Sequence, residues 1–259
     1  MDILFHEVSS HSALARVIEQ TGSPRFWRQL TLLLRHWVQF DNALAIHFPA
    51  LGAPHVLDEY DASPAPVASA LYLDGLYLLD PFYQAAHEGL ASGFYHLEEV
   101  APDQFRQTDY FLNYFHDHVL EDEVQFLLQV PDGVVSLSLG MRRAFDATER
   151  GKLTLVSQWV LALVAQSWGQ VSVSVPLKPP VGDALAKFGE GLLSDRELEI
   201  ARLILRGYSS KAMAQRLGIS PETIKAHRRH LYAKLNISSQ PELFSRFIQQ
   251  LGFQEETSG

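Results

Sequence analysis

The sequence predicts an α+β protein in two parts. An N-terminal α/β/α sandwich with an antiparallel sheet occupies residues 1–170, and an all-α four-helix domain occupies residues 191–254, with a linker at 171–190. Three observations carry this expectation. Residues 42–60 and 123–142 alternate apolar and polar positions around the turn sequences Pro49 to Pro54 and Pro131-Asp132-Gly133, as antiparallel hairpins do. Helical periodicity flanks both hairpins. After the proline-stiffened run V-S-V-S-V-P-L-K-P-P at 171–180, the pattern changes to short helices with explicit start and stop residues. At 259 residues and 47% hydrophobic content the chain is large enough for two ordinary cores.

In chain order, residues 11–20 and 24–40 read as helices, the second with Phe26, Leu30, Leu33, Leu34 and Trp37 on one stripe. Residues 42–48 read as a strand with 55–60 as hairpin partner, and His47 as a satisfied sheet histidine. A loop at 62–66 leads to a helix over 67–86, broken near Asp80-Pro81 because proline disfavours helix at the residue before it. Residues 94–100 are expected as a strand, 102–116 as an aromatic-rich helix, and 123–130 with 134–142 as the second hairpin. Asp146 or Thr148 then caps a long helix ending near Gly169.

The C-terminal domain is marked by its caps. Ser194 with Glu197 forms a capping box for a helix that Gly207 stops, and Ser209 starts a second that Gly218 stops. Ser220 caps a third, with Pro221 at its first position, where no amide donor is needed. Ile224, Leu231 and Leu235 face inward. At about 100° per residue, Glu222, Lys225, Ala226, Arg229 and Ala233 fall on the opposite face, with His230 on their flank. Two cations beside a small residue at the leading end of such a helix suit the major groove, where Lys and Arg donate to guanine O6 and N7.

The run L-S-x-R-E…G-x-S-x-K-x-x-A-x-x-L-x-I-S-x-x-T-I-K-x-H…L-x-x-K-L resembles the DNA-binding domain of LuxR/FixJ-type regulators. The resemblance implies a helix-turn-helix in which Lys225, Ala226 and Arg229 read bases. It places Lys211, Thr223, His227, Arg228 and Lys234 at or near backbone-contact or structural positions. Ala212 stands where that family usually has an acidic residue.

Whole-chain charge conceals this domain. The net charge is −9, yet residues 194–250 hold ten Lys and Arg against five Asp and Glu, while the residues before 194 hold 11 against 23. Phosphate attraction is local, screened within about 8 Å at physiological salt, so a basic end on an acidic chain suits a DNA reader joined to a separate sensor. The chain has no cysteine, which excludes disulfides and thiolate chemistry and agrees with a reducing cytoplasm. No signal-like or membrane-spanning stretch is read. Without G-x-S-x-G, P-loop or G-x-G-x-x-G patterns no enzyme and no cofactor are expected. His116 and His118 point about 200° apart if helical, so no metal is expected there either, and Glu121 to Glu123 read as solvated acids.

The sensor carries an aromatic constellation around one carboxylate: Tyr72, Tyr77, Asp80, Phe82 and Tyr83, with Tyr95 and Tyr110. Apolar walls with a few polar groups are what a small-molecule pocket needs, and a carboxylate in an apolar segment needs a donor. The Y-x-x-D-P run resembles the Asp-Pro region of LuxR autoinducer-binding domains, which implies that Asp80 takes the amide hydrogen of an acyl-homoserine lactone. No tryptophan lies between Trp37 and Trp159, where those domains place theirs. An amine held by ring faces and Asp80 therefore stands as the second candidate. The layering also matches PAS- or GAF-like sensors.

The last helix, 241–251, carries Leu243, Phe244, Phe247 and Ile248, an apolar stripe expected to pair two copies on an inverted-repeat DNA site, with the sensor's long helix as the other candidate for the dimer contact. The chain thus reads as a cytoplasmic, homodimeric DNA-binding transcription regulator under small-molecule control. The alternative is a regulator whose N-terminal half is a protein-interaction or dimerisation module.

Overall fold

The computed structural model describes residues 8–62, 70–116, 121–170, 188–189 and 191–251; the expected linker lies almost wholly outside them. The first part runs α1 (Val8–Glu19), α2 (Phe26–Arg35), β1 (Asn42–Pro49), β2 (His55–Asp61), α3 (Ala70–Leu73), α4 (Pro81–His87), β3 (Gly93–His96), α5 (Leu97–Val100), β4 (Asp122–Val130), β5 (Gly133–Met141) and α6 (Ala147–Gln170). The second runs α7 (Asp195–Arg206), α8 (Ser210–Leu217), α9 (Pro221–Leu235) and α10 (Gln240–Gln250). The α+β sandwich followed by a four-helix unit is the expected fold.

The five strands pair antiparallel in the order β2-β1-β5-β4-β3. Side chains alternate between faces, and each face has its own cover. Ala43, Ala45, Val124, Phe126, Val135, Leu137, Leu139 and Met141 pack with Phe26, Leu30, Leu34, Val156 and Val160 of α2 and α6. The other face carries Ile46, Phe48, Leu127 and Val134 into a second core with Tyr77, Phe82, Tyr110 and Phe115. The hairpin from β4 to β5 turns at Gly133, whose φ of 148° favours glycine and whose Cβ would meet the Phe48 carbonyl oxygen.

Four expected elements differ. The helix over 24–40 spans only Phe26–Arg35, yet Trp37, Val38 and Phe40 stay buried beyond it. The helix over 67–86 breaks at Gly75 (φ 146°) as well as at Asp80: a 3-10 turn fills Leu76–Leu79, and 67–69 lie outside the described residues. The strand over 94–100 ends at His96, which caps α5 in a capping box with Glu99. Residues 102–116 divide into a 3-10 turn, Phe105–Gln107, and a π turn, Phe111–Phe115. The start of α6 follows expectation, with Asp146 Oδ1 accepting from Glu149 N at 2.8 Å.

In the four-helix unit the caps fall where the sequence places them. Ser194, Ser209 and Ser220 accept from Glu197, Ala212 and Thr223 amides, and Gly207, Gly218 and Asn236 end their helices in the left-handed region. Ile200, Ala201, Ile204, Met213, Ile224 and Leu231 form the core, closed by Leu243 and Phe247, both 0% exposed. Phe188 stacks edge-on against Phe247 at 5.8 Å. Two of the four residues expected to pair copies are therefore core. Phe244 and Ile248 are half-buried against the same cluster, which corrects the reading of α10 as an uncovered stripe.

Candidate functional site

The sheet face under α3 and the π turn holds polar side chains in a row. Asn42 and Leu44 of β1, Glu123 and Gln125 of β4 and Ser138 of β5 line a cavity of about 30 Å³, covered by Phe48, Tyr72, Asp80 and Tyr114. Gln125 and Leu44 both register with Ser138, while Asn42 and Glu123 register with Gly140, which puts no side chain between them.

Asp80, 5% exposed, caps α4 and has both oxygens engaged: Oδ1 accepts from Phe82 N at 2.8 Å, and Oδ2 from the Tyr72 hydroxyl at 2.7 Å. Glu123 is 3% exposed, so the expectation of a solvated acid is corrected; its Oε1 accepts from Gln125 Nε2 at 2.6 Å and from the Ser138 hydroxyl. The two acids are both buried and line the same cavity. Burial raises the pKa of Asp80 against the bonds from Tyr72 and Phe82. Burial, with the Asp80 charge behind it, raises Glu123 to about 8. Tyr72 and Tyr110 are likewise raised by burial and then by the Asp80 charge.

Of the expected ligand residues, Tyr72 and Asp80 line the cavity and the other five do not. Tyr77 packs on Tyr83 at 4.9 Å, and Tyr83 on Phe48 at 5.1 Å and His87 at 4.0 Å. Phe82 contributes its backbone amide. Tyr95 sits on the edge strand with its hydroxyl on the Ala91 carbonyl at 3.0 Å. Tyr110 stacks behind Tyr114 at 5.4 Å. The sheet's contribution was missed: Glu123 and Gln125 alternate in β4 and share a face with Ser136 and Ser138 of β5, where Gln125 registers with Ser138 and Glu123 with Gly140, a polar face that signals a pocket only once the sheet is known to be covered on both sides.

On α9, Lys225, Arg229 and Thr223 are exposed and Ala226 half-buried, and Lys211 is exposed on α8. His227 and Arg228 are half-buried. Arg228 lies over the Tyr232 ring at 5.2 Å and donates to its hydroxyl at 3.1 Å. Lys234, grouped by resemblance with backbone-contact or structural positions, is engaged in an ion pair within the domain. Its Nζ lies 2.6 Å from Oε2 of the buried Glu197, whose pKa that contact pulls down to about 2.

The two parts meet along a built surface. Gln104 N donates to the Gly207 carbonyl at 2.9 Å, Ser209 N to Asp103 Oδ1 at 2.9 Å, and Arg216 pairs with Glu88 at 2.5 Å. A Cβ on Gly207 would stand 2.7 Å from Thr108 and 2.8 Å from the Phe105 backbone. Gly207 thus ends α7 and admits the 3-10 turn of the N-terminal domain. Among the described residues no group of three or more His, Asp or Glu is placed to hold a metal, and no helix is long and apolar enough to cross a membrane; His118 lies outside them.

A covered α/β/α sandwich joined to a helix-turn-helix with an exposed cationic helix is the build of a two-domain DNA-binding regulator. The description "Bacterial regulatory proteins, luxR family" matches residues 191–247. A protein described as an HTH-type transcriptional regulator in the exeN 3′ region of Aeromonas salmonicida is 33% identical over 186 residues, 66% of this chain and 94% of that protein. The oxygen regulatory protein NreC of Staphylococcus carnosus is 50% identical over 52 residues, 20% of this chain and only 24% of its own length. In structure, the LBD domain of VqsR from Pseudomonas aeruginosa aligns at TM-score 0.57 and 31% identity, covering 63% of this chain and 99% of that domain. The chain belongs to the LuxR family and is a DNA-binding transcriptional regulator.

Proposed function

We propose that a small molecule bound at Asp80 controls how this regulator engages DNA. One observation carries the reading: the segment that covers the cavity is also the segment that holds the DNA-binding domain. Tyr114 of the π turn lines the cavity, and Phe105 and Thr108, a few residues earlier, close around Gly207. A ligand that moves this segment changes the domain contact, and its differential affinity for the two arrangements sets DNA occupancy. Lys225, Ala226 and Arg229 then read bases, and Lys211, Thr223, His227 and Arg228 hold the backbone.

The protein acts as a homodimer on an inverted repeat in the cytoplasm. With α10 closed into its own core, α6 supplies the pairing face. It is apolar on more than its buried side: Leu155 is 60% exposed, and Trp159, Leu161 and Leu163 are half-buried.

The full-length chain is screened by thermal shift and DNA retention against acyl-homoserine lactones, amines and small acids. One class is expected to raise the melting temperature and change DNA retention. Asp80→Asn, which keeps the shape and removes the charge, should fold and lose both responses. Unfolding of Asp80→Asn at saturating ligand would make Asp80 a purely structural cap. Silence of every class would favour a protein-interaction or dimerisation module.

A further inference from the structure

We infer that the cavity between Asp80 and Glu123 takes the ammonium head of a primary amine. This rests on the small-molecule reading of Asp80 and names the ligand class. Buried acids need partners, and here two of them line one cavity with no Lys, Arg or His among the described residues that line it. Their hydrogen bonding is uneven. Asp80 has both oxygens engaged, whereas both bonds to Glu123 end on Oε1, and Glu123 Oε2 accepts none among the described residues.

Glu123, 3% exposed, thus keeps one carboxylate oxygen without a partner among the described residues, beside a cavity with room for one or two water-sized groups, the size of an ammonium head. The Tyr72 and Tyr114 rings that line the same cavity are stacked, with centroids 6.0 Å apart and planes 10° from parallel. Aromatic rings and two carboxylates around one buried cavity form a cation site, since both attract positive charge where burial lowers the dielectric.

A neutral acyl ligand sets the opposite demand. Its carbonyl needs a donor, which Glu123 supplies only when protonated. The sign of the pH dependence therefore separates the two classes. The titratable groups facing Glu123 are Asp80 from the turn before α4, Tyr110 beside the π turn and its own neighbour Asp122, with Tyr72 and Tyr114 in the cavity wall. In the empty protein burial holds Glu123 protonated up to about pH 8. An ammonium ion favours the ionised form and must expel that proton, so its affinity rises with pH towards 8.

Ethylamine and N-butanoyl-homoserine lactone are titrated into the full-length chain by calorimetry, with thermal shift alongside, over roughly pH 6–8, where the linked proton scales affinity up to about tenfold per pH unit. Ethylamine is expected to bind more tightly at the higher pH and release a proton. Glu123→Gln is expected to lose that rise and at least about tenfold in affinity at the higher pH. No ethylamine binding, affinity that is flat or falls with pH in the unaltered chain, or Glu123→Gln binding ethylamine as well as the parent would each overturn the inference. Should the variant not fold, the pH profile of the unaltered chain decides. Binding of the lactone alone, lost in Asp80→Asn, would sink the amine and leave the proposed function standing.

Discussion

Glu197 shows what one residue does for the DNA-binding domain. It closes the capping box of α7 with Ser194 and accepts from Lys234 of α9, so it ties two helices through one carboxylate. Its pKa falls from 4.5 to about 2, chiefly through Lys234, so the ionised form stabilises the fold above about pH 4.5 and that contribution is lost as pH falls towards 2. Lys234→Gln should cost about 1–2 kcal/mol at neutral pH, the lysine being 45% exposed and screened, and should flatten the acid limb of urea unfolding. An unchanged acid limb would remove Lys234 from this role. At the same scale, Asp80 was legible because a carboxylate before proline in an apolar run stands out. Glu123 was not, because an acid at a strand end reads as solvated until the opposite face is known to be covered.

At the scale of elements, the helices of the C-terminal domain were readable nearly to the residue, since Ser194, Ser209, Ser220, Gly207 and Gly218 each have a local job that needs no tertiary information. The segments at 67–86 and 102–116 were not. Their breaks into short turns come from packing aromatic rings over the sheet, a nonlocal demand that overrides helical periodicity. The faces of α9 give a direct test against DNA selected from a random library. Arg229→Ala should lower discrimination between selected and random DNA by roughly 1–3 kcal/mol, and Lys211→Ala should weaken both alike. Equal losses for Arg229→Ala on the two DNAs would withdraw its base-reading role.

For the whole molecule, hairpin pairing and the two-part division followed from periodicity, but the contact between the parts did not. Nothing in the sequence around Gly207 separates a glycine that only ends a helix from one that also admits Phe105 and Thr108 of another domain. Two residues of the expected pairing stripe belong to the core for a related reason: Leu243 and Phe247 look excess until the small core is seen to need both. On the proposal that α6 is the pairing face, Leu155→Glu should halve the mass seen in sedimentation and contract the DNA footprint to a half-site. A folded variant that remains dimeric would return the search to other faces.

The Asp103 bond to Ser209 has a further consequence at the surface proposed to meet DNA. Its carboxylate stands at the N-terminus of α8, where helix amides favour an anion, and close enough to Lys211 to feel its charge; against its own desolvation, Ser209 and then Lys211 hold its pKa down. The docked N-terminal domain thus supplies a built-in counter-ion at a proposed phosphate contact. With Asp103 beside it, Lys211 has less net charge with which to neutralise a phosphate and free the cation condensed there. Release of mobile ions is what makes DNA affinity salt-dependent, at about 0.9 per phosphate in the log–log slope. Asp103→Asn should therefore bind DNA more tightly at low salt and with a slope steeper by about one ion. Parallel slopes for variant and parent would mean that the sensor has already left α8 when DNA arrives.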